Sequence, residues 1–138
     1  MVKRHIPNLI FAIVLAMAAW PLINTYGPRI EGYLFPVSAN VRITSYLPKI
    51  LGWTEISGAA DKLRSCNFDR LEWFLENDGS IVRAEVNFLE RTKARPSGDF
   101  NWGPWAVRLE AREIETKSTA YVYHRCHPFW LTRTQFWP

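Results

Sequence analysis

The first apolar run of the chain, residues 6–28, contains no Asp, Glu, Lys or Arg and follows the basic cluster Lys3, Arg4, His5. Residues 9–23 read LIFAIVLAMAAWPLI, and with Ile6, Pro7 and Asn8 the stretch approaches the roughly 20 residues that cross about 30 Å of hydrocarbon. The pattern predicts one membrane-spanning helix. Pro7 falls in the first turn, where its missing N–H costs nothing, and Pro21 is expected to kink or end the helix. Trp20 and Tyr26 fall where an aromatic belt meets the far headgroups, and Lys3 and Arg4, set against Arg29 balanced by Glu31, predict a cytoplasmic N-terminus with the rest exported. A cleaved secretory signal is the rival, because Ala16-Met17-Ala18 has the small-x-small form of a cleavage site; a core helix of a soluble domain is the third reading. Apolarity that continues through Leu22 and Ile23 favours the anchor.

Beyond the run the period changes. Residues 24–36 (NTYGPRIEGYLFP) carry Gly27, Pro28, Gly32 and Pro36 and read as a stalk or juxtamembrane turn. This divides the chain into an anchor over 1–26, a linker over 27–39 and an exported domain over 40–138. Alternating apolar and polar positions predict strands over 37–46, ended by Pro48, and over 50–58, with a turn or bulge at 58–61. Residues 68–75 (FDRLEWFL) put Leu71, Trp73 and Leu75 on one face, a period of two. Asn77-Asp78-Gly79 supplies a tight hairpin turn, and 81–89 (IVRAEVNFL) is the expected partner strand. Residues 90–103 show no period and predict a long loop. Alternation resumes over 105–114 and 120–126, with a turn at 115–118 and a last short strand expected around 129–132. Six or seven strands with almost no helical pattern predict an all-β body, a small antiparallel sandwich of immunoglobulin or fibronectin type behind one transmembrane helix.

Composition narrows the function classes. Subtracting Lys3 and Arg4 from the 17 basic residues leaves 15 against 13 acidic, too even a balance for the basic face that nucleic acid requires. Seven Trp, five Tyr and eight Phe are many for 138 residues, and suit strand packing first and a binding surface second.

Cys66 and Cys126 are the only cysteines. In an exported domain such a pair most simply forms a disulfide. The alternatives are a metal site, since His124-x-Cys126-His127 with Cys66 offers four possible ligands at a spacing that matches no common zinc pattern, or unpaired thiols. No nucleophile elbow, zinc-protease helix motif or phosphate-cradling glycine loop is present, so no enzyme and no cofactor are expected. The candidate partner-binding residues are Arg95, Phe100, Trp102 and Trp105 on the expected loop, with Arg91 and Lys93 as a polar rim; the competing reading folds Trp102 and Trp105 back as a cap on the sandwich. A second aromatic group, Phe129, Trp130, Phe136 and Trp137, completes the core or lies on the membrane surface.

Lys62-Leu63-Arg64-Ser65-Cys66, Trp102-Gly103-Pro104-Trp105 and the run His124-Arg125-Cys126-His127-Pro128-Phe129-Trp130 resemble small phage or prophage membrane-anchored envelope-type proteins. The resemblance implies a virion or host-envelope setting and assigns no catalytic residue and no ligand. The expectation is therefore a single-pass, membrane-anchored, non-enzymatic module whose C-terminal domain meets a protein partner in the periplasm or outside the cell. An accessory subunit packing its helix through Ala12, Ala16 and Ala19 is the second expectation, and a metal-binding or redox periplasmic protein the third.

Overall fold

A computed structural model describes residues 6–89 and 95–138. The apolar run forms α1 (Ile6–Leu34), a helix of 29 residues that continues through both Pro21 and Pro28. Between the prolines, the Asn24 side-chain amide donates to the Trp20 carbonyl and the Thr25 hydroxyl to that of Pro21, both at 2.8 Å. The linker expected over 27–39 is thus mostly helix, and only a short bend separates Leu34 from the first strand. The last two turns of α1, which include Pro28, lie against the C-terminal strand of the body.

Among the described residues eight strands follow: β1 (Ser38–Pro48), β2 (Thr54–Lys62), β3 (Asn67–Asn77), β4 (Ser80–Ala84), β5 (Val86–Phe88), β6 (Gly98–Val107), β7 (Ser118–Arg125) and β8 (Thr132–Trp137). They make two four-stranded sheets, β1-β2-β6-β5 and β4-β3-β7-β8, in which every pair is antiparallel. The inner faces share one core. Ile56 and Ala60 of β2 and Trp102 of β6 meet Leu71 and Trp73 of β3, Val122 of β7 and Phe136 of β8. Trp73 is fully buried, and its indole N–H donates to Ser118 Oγ, which in turn donates to the Ile114 carbonyl, so the one polar atom of the ring is satisfied.

The β3–β4 hairpin turns at Asp78 and Gly79, both at positive φ (47° and 81°), the pairing that a two-residue turn of matching twist demands. Several expected elements differ from what forms. The loop expected over 90–103 is strand from Gly98 onward, where β6 begins, and the strand expected over 50–58 starts only at Thr54 and runs through the expected turn at 58–61 to Lys62. The partner strand over 81–89 breaks at Glu85: β4 pairs with β3, whereas β5 pairs with β6 in the opposite sheet. The alternation over 105–114 holds for Val107 and Leu109, both buried, and then gives way to α2 (Ala111–Lys117). That helix begins with a capping box in which Glu110 and Glu113 satisfy each other's backbone N–H groups, and buries Ile114. The last strand runs over β8, a few residues beyond the expected 129–132.

The bond between Cys66 and Cys126 is present, with a Cα–Cα distance of 4.7 Å. Cys66 immediately precedes Asn67 and Cys126 immediately follows Arg125, a paired couple of the β3–β7 ladder. The disulfide therefore staples one end of a single sheet.

Candidate interface at the foot of the helix

The polar group that orders this region is Glu31, which sequence reasoning treated only as a counter-charge to Arg29. One carboxylate oxygen, Oε2, accepts from His127 Nε2 (2.8 Å), Trp130 Nε1 (2.8 Å) and Thr132 Oγ1 (3.0 Å). The other, Oε1, accepts from Arg64 Nη1 at 2.9 Å, and the same guanidinium nitrogen reaches the Phe35 carbonyl at 3.0 Å. Glu31 is a side chain of α1; Arg64 comes from the β2–β3 connection, His127 and Trp130 from the β7–β8 connection, and Thr132 opens β8. One anion thus binds three segments of the chain around the disulfide-closed end. Charge-assisted bonds of this kind are about twice as strong as neutral ones.

Two glycines let the helix come close enough. A Cβ at Gly32 would lie 1.7 Å from the Arg133 carbonyl oxygen, so α1 and β8 touch backbone to backbone. At Gly27 a Cβ would lie 3.2 Å from the Trp130 ring. The joint between helix and body thus combines close backbone approach at Gly32 and ring-on-backbone contact at Gly27 with the side-chain bonds to Glu31.

The residues singled out in the sequence fall elsewhere. Trp102 is 2% exposed and lies in the core, its ring over Gly58, where a Cβ would come within 2.5 Å of it. Trp105 is half-buried, stacked on Trp102 at a centroid distance of 4.6 Å, and both rings meet Phe136 at 5.2 and 5.6 Å. Neither indole stands on the loop tip where the partner-binding expectation put it; both rings turn inward onto each other and Phe136. The reason is a bulge: Ile56 pairs with Trp105 and Gly58 with Trp102, so β6 spends one residue more than β2 and turns both rings inward. Arg95 and Phe100 do meet, with the guanidinium 5.1 Å from the ring centroid, beside the pairing of Lys62 Nζ with the Arg95 carbonyl at 2.6 Å. Arg91, Lys93 and the Lys3-Arg4-His5 cluster lie outside the described residues.

The four possible metal ligands are not brought together as a set. The two sulfurs are bonded to each other, His127 is engaged by Glu31, and His124 is buried on β7 against Phe68 at 5.9 Å. Burial, reinforced by the Lys62 charge, pushes the His124 imidazole down to about 4, which keeps it neutral. Among the described residues no three His, Cys, Asp or Glu side chains converge as a metal site would need.

At the opposite end of the body, the β1–β2 connection carries Ile50 and Leu51, 82% and 85% exposed, beside half-exposed Leu47. Leu51 sits at φ 60° and ψ 32°, a left-handed conformation that costs a non-glycine residue roughly 1–2 kcal/mol. Comparison with protein-family models, curated proteins and solved structures finds no match to this chain.

Proposed function

We propose that this chain is a membrane-anchored, non-enzymatic binding or assembly module. In this reading α1 crosses the bilayer once with its N-terminus in the cytoplasm, and the two-sheet body stands in the periplasm or outside the cell to meet a protein partner. The observation that carries it is the joint around Glu31, which fixes a helix long and apolar enough to cross a membrane to a disulfide-closed body. The surface presented is the β1–β2 tip, about 33 Å along β1 from the joint, where Ile50 and Leu51 stand in solvent and Leu51 has a left-handed backbone.

We assign the body to the immunoglobulin or fibronectin type. The order β1-β2-β6-β5 against β4-β3-β7-β8 corresponds to strands A-B-E-D against C′-C-F-G, and Trp73 on β3 occupies the place of the buried strand-C tryptophan. The disulfide departs from that pattern, lying within one sheet where the immunoglobulin bond joins the two. We further propose, from the phage-like resemblance alone, that such a module works in a virion or host envelope. A second reading, an accessory subunit of a larger membrane complex, is favoured by the exposed apolar side chains along the N-terminal part of α1, such as Phe11, Val14 and Leu15.

The test is membrane extraction and topology of the full chain in cells. The reading expects resistance to carbonate extraction, protease access to the body only from the exported side, and a mobility shift on reduction. A photo-crosslinker replacing Ile50 should capture a partner protein, and Ile50→Asp should abolish co-purification in mild detergent without lowering stability. A body accessible only from the cytoplasm, with free thiols, would overturn the proposal.

A further inference from the structure

The connection between β7 and β8 runs down the side of α1 rather than across the end of the body. Trp130 donates to Glu31 and lays its ring over Gly27, one helical turn nearer the N-terminus. Phe129, next to it, is 72% exposed. Between Trp130 and the helix lies an open groove of 560 Å³ lined by Leu22, Ile23, Tyr26, Ile30 and Leu34, almost purely apolar.

The depth of these rings follows from helix geometry. About 20 residues fill the hydrocarbon, so a span beginning at Pro7 reaches Tyr26, and Gly27 is the first residue beyond it. At about 1.5 Å per residue, Glu31 then stands about 6 Å further out, at the level of the headgroups. Trp130 lies at the hydrocarbon boundary, where tryptophan is enriched because its ring is apolar and its N–H needs a partner. Arg29 and Arg125 are exposed close by in the chain, where lipid phosphates would pair with them.

Resting on the anchored reading above, we propose that the 127–130 connection is a second membrane contact. Phe129 and Trp130 seat in the interface of the bilayer that α1 crosses, and a phospholipid acyl chain occupies the groove between Trp130 and the helix. The occupant is lipid because the groove is a continuation of the apolar surface that α1 turns toward the hydrocarbon, and three of its walls, Leu22, Ile23 and Tyr26, belong to the span itself.

The experiment places benzoyl-phenylalanine at position 129, 14 or 50 of the full chain in phosphatidylcholine–phosphatidylglycerol vesicles, with adducts read by intact mass. Position 129 is exposed, so the replacement leaves the fold in place. Lipid adducts are expected at 14 and 129, at least fivefold above those at 50. Adducts at 14, with 129 no higher than 50, overturn the second contact and leave the anchor standing. A chain dimer captured at 129 overturns it too, by placing a second copy there. Lipid adducts at none of the three positions overturn the anchored reading itself, and this inference with it.

Discussion

Glu31→Ala removes one carboxylate and strands four donors. The Glu31 side chain is 15% exposed and that of Arg64 32%, so the pair is neither in bulk water nor in a dry core. A hydrogen bond to a charged group contributes about 1.5–3 kcal/mol, and breaking one side of a buried pair costs about 3–5 kcal/mol. Partial exposure moves the figure toward the lower end, and the four bonds share two oxygens and do not add. We expect a loss of about 3 kcal/mol. Glu31→Gln should lose about 2 kcal/mol, because an amide that still accepts from Trp130 and Thr132 must turn its own N–H₂ toward the Arg64 donor. The assay is urea unfolding of the full chain in detergent micelles, followed by tryptophan emission, with Arg64→Met and the double variant closing a cycle. Coupling of at least 1 kcal/mol between positions 31 and 64 is expected. A Glu31→Ala chain within 0.5 kcal/mol of the parent, or a cycle without coupling, would refute the reasoning and reduce the carboxylate to a surface group.

Other outcomes follow from the rest of the structure. Reduction, or Cys66→Ser with Cys126→Ser, opens a loop of 60 residues and should cost about 4 kcal/mol in the chain-entropy picture, measured as a shift in urea midpoint with and without reductant. His124 stays neutral in the fold down to about pH 4, whereas the unfolded chain protonates it near 6.5. Stability is therefore whole above pH 6.5 and declines as pH falls toward 4, by up to about 3 kcal/mol; His124→Leu should flatten that decline in midpoints taken across the range. Trp102→Ala leaves a cavity beneath Gly58 and Phe136 and should destabilise by about 3–5 kcal/mol, seen in thermal unfolding, whereas an exposed binding residue would lose less than about 0.5 kcal/mol.

The legible parts of this chain were those whose signal is local. Leu71, Trp73 and Leu75 alternate over uninterrupted strand, and Asp78-Gly79 is a turn that few other residues can make, so the β3–β4 hairpin could be read directly. The disulfide followed from the cysteine count and the expectation of an exported domain. Long-range geometry hid the rest. The inward turn of both Trp102 and Trp105 depends on a bulge against β2 that no period in β6 announces. The split at Glu85 depends on a strand leaving one sheet for the other. Glu31 looked like a lone charge beside a membrane run because its four partners lie 33 to 101 residues away. The Glu110–Glu113 capping box was a readable clue to α2, masked by the alternation of Val107, Leu109 and Ala111.

The backbone contact at Gly32 and the bonds to Glu31 tie the body directly to the helix. Set in a bilayer, such a molecule works as a lever: a change of about 10° in helix tilt, inside the range that membrane helices adopt, carries a point about 33 Å away sideways by about 6 Å. The tilt that the interfacial anchors permit would thereby set where the hairpin's apolar knuckle can reach.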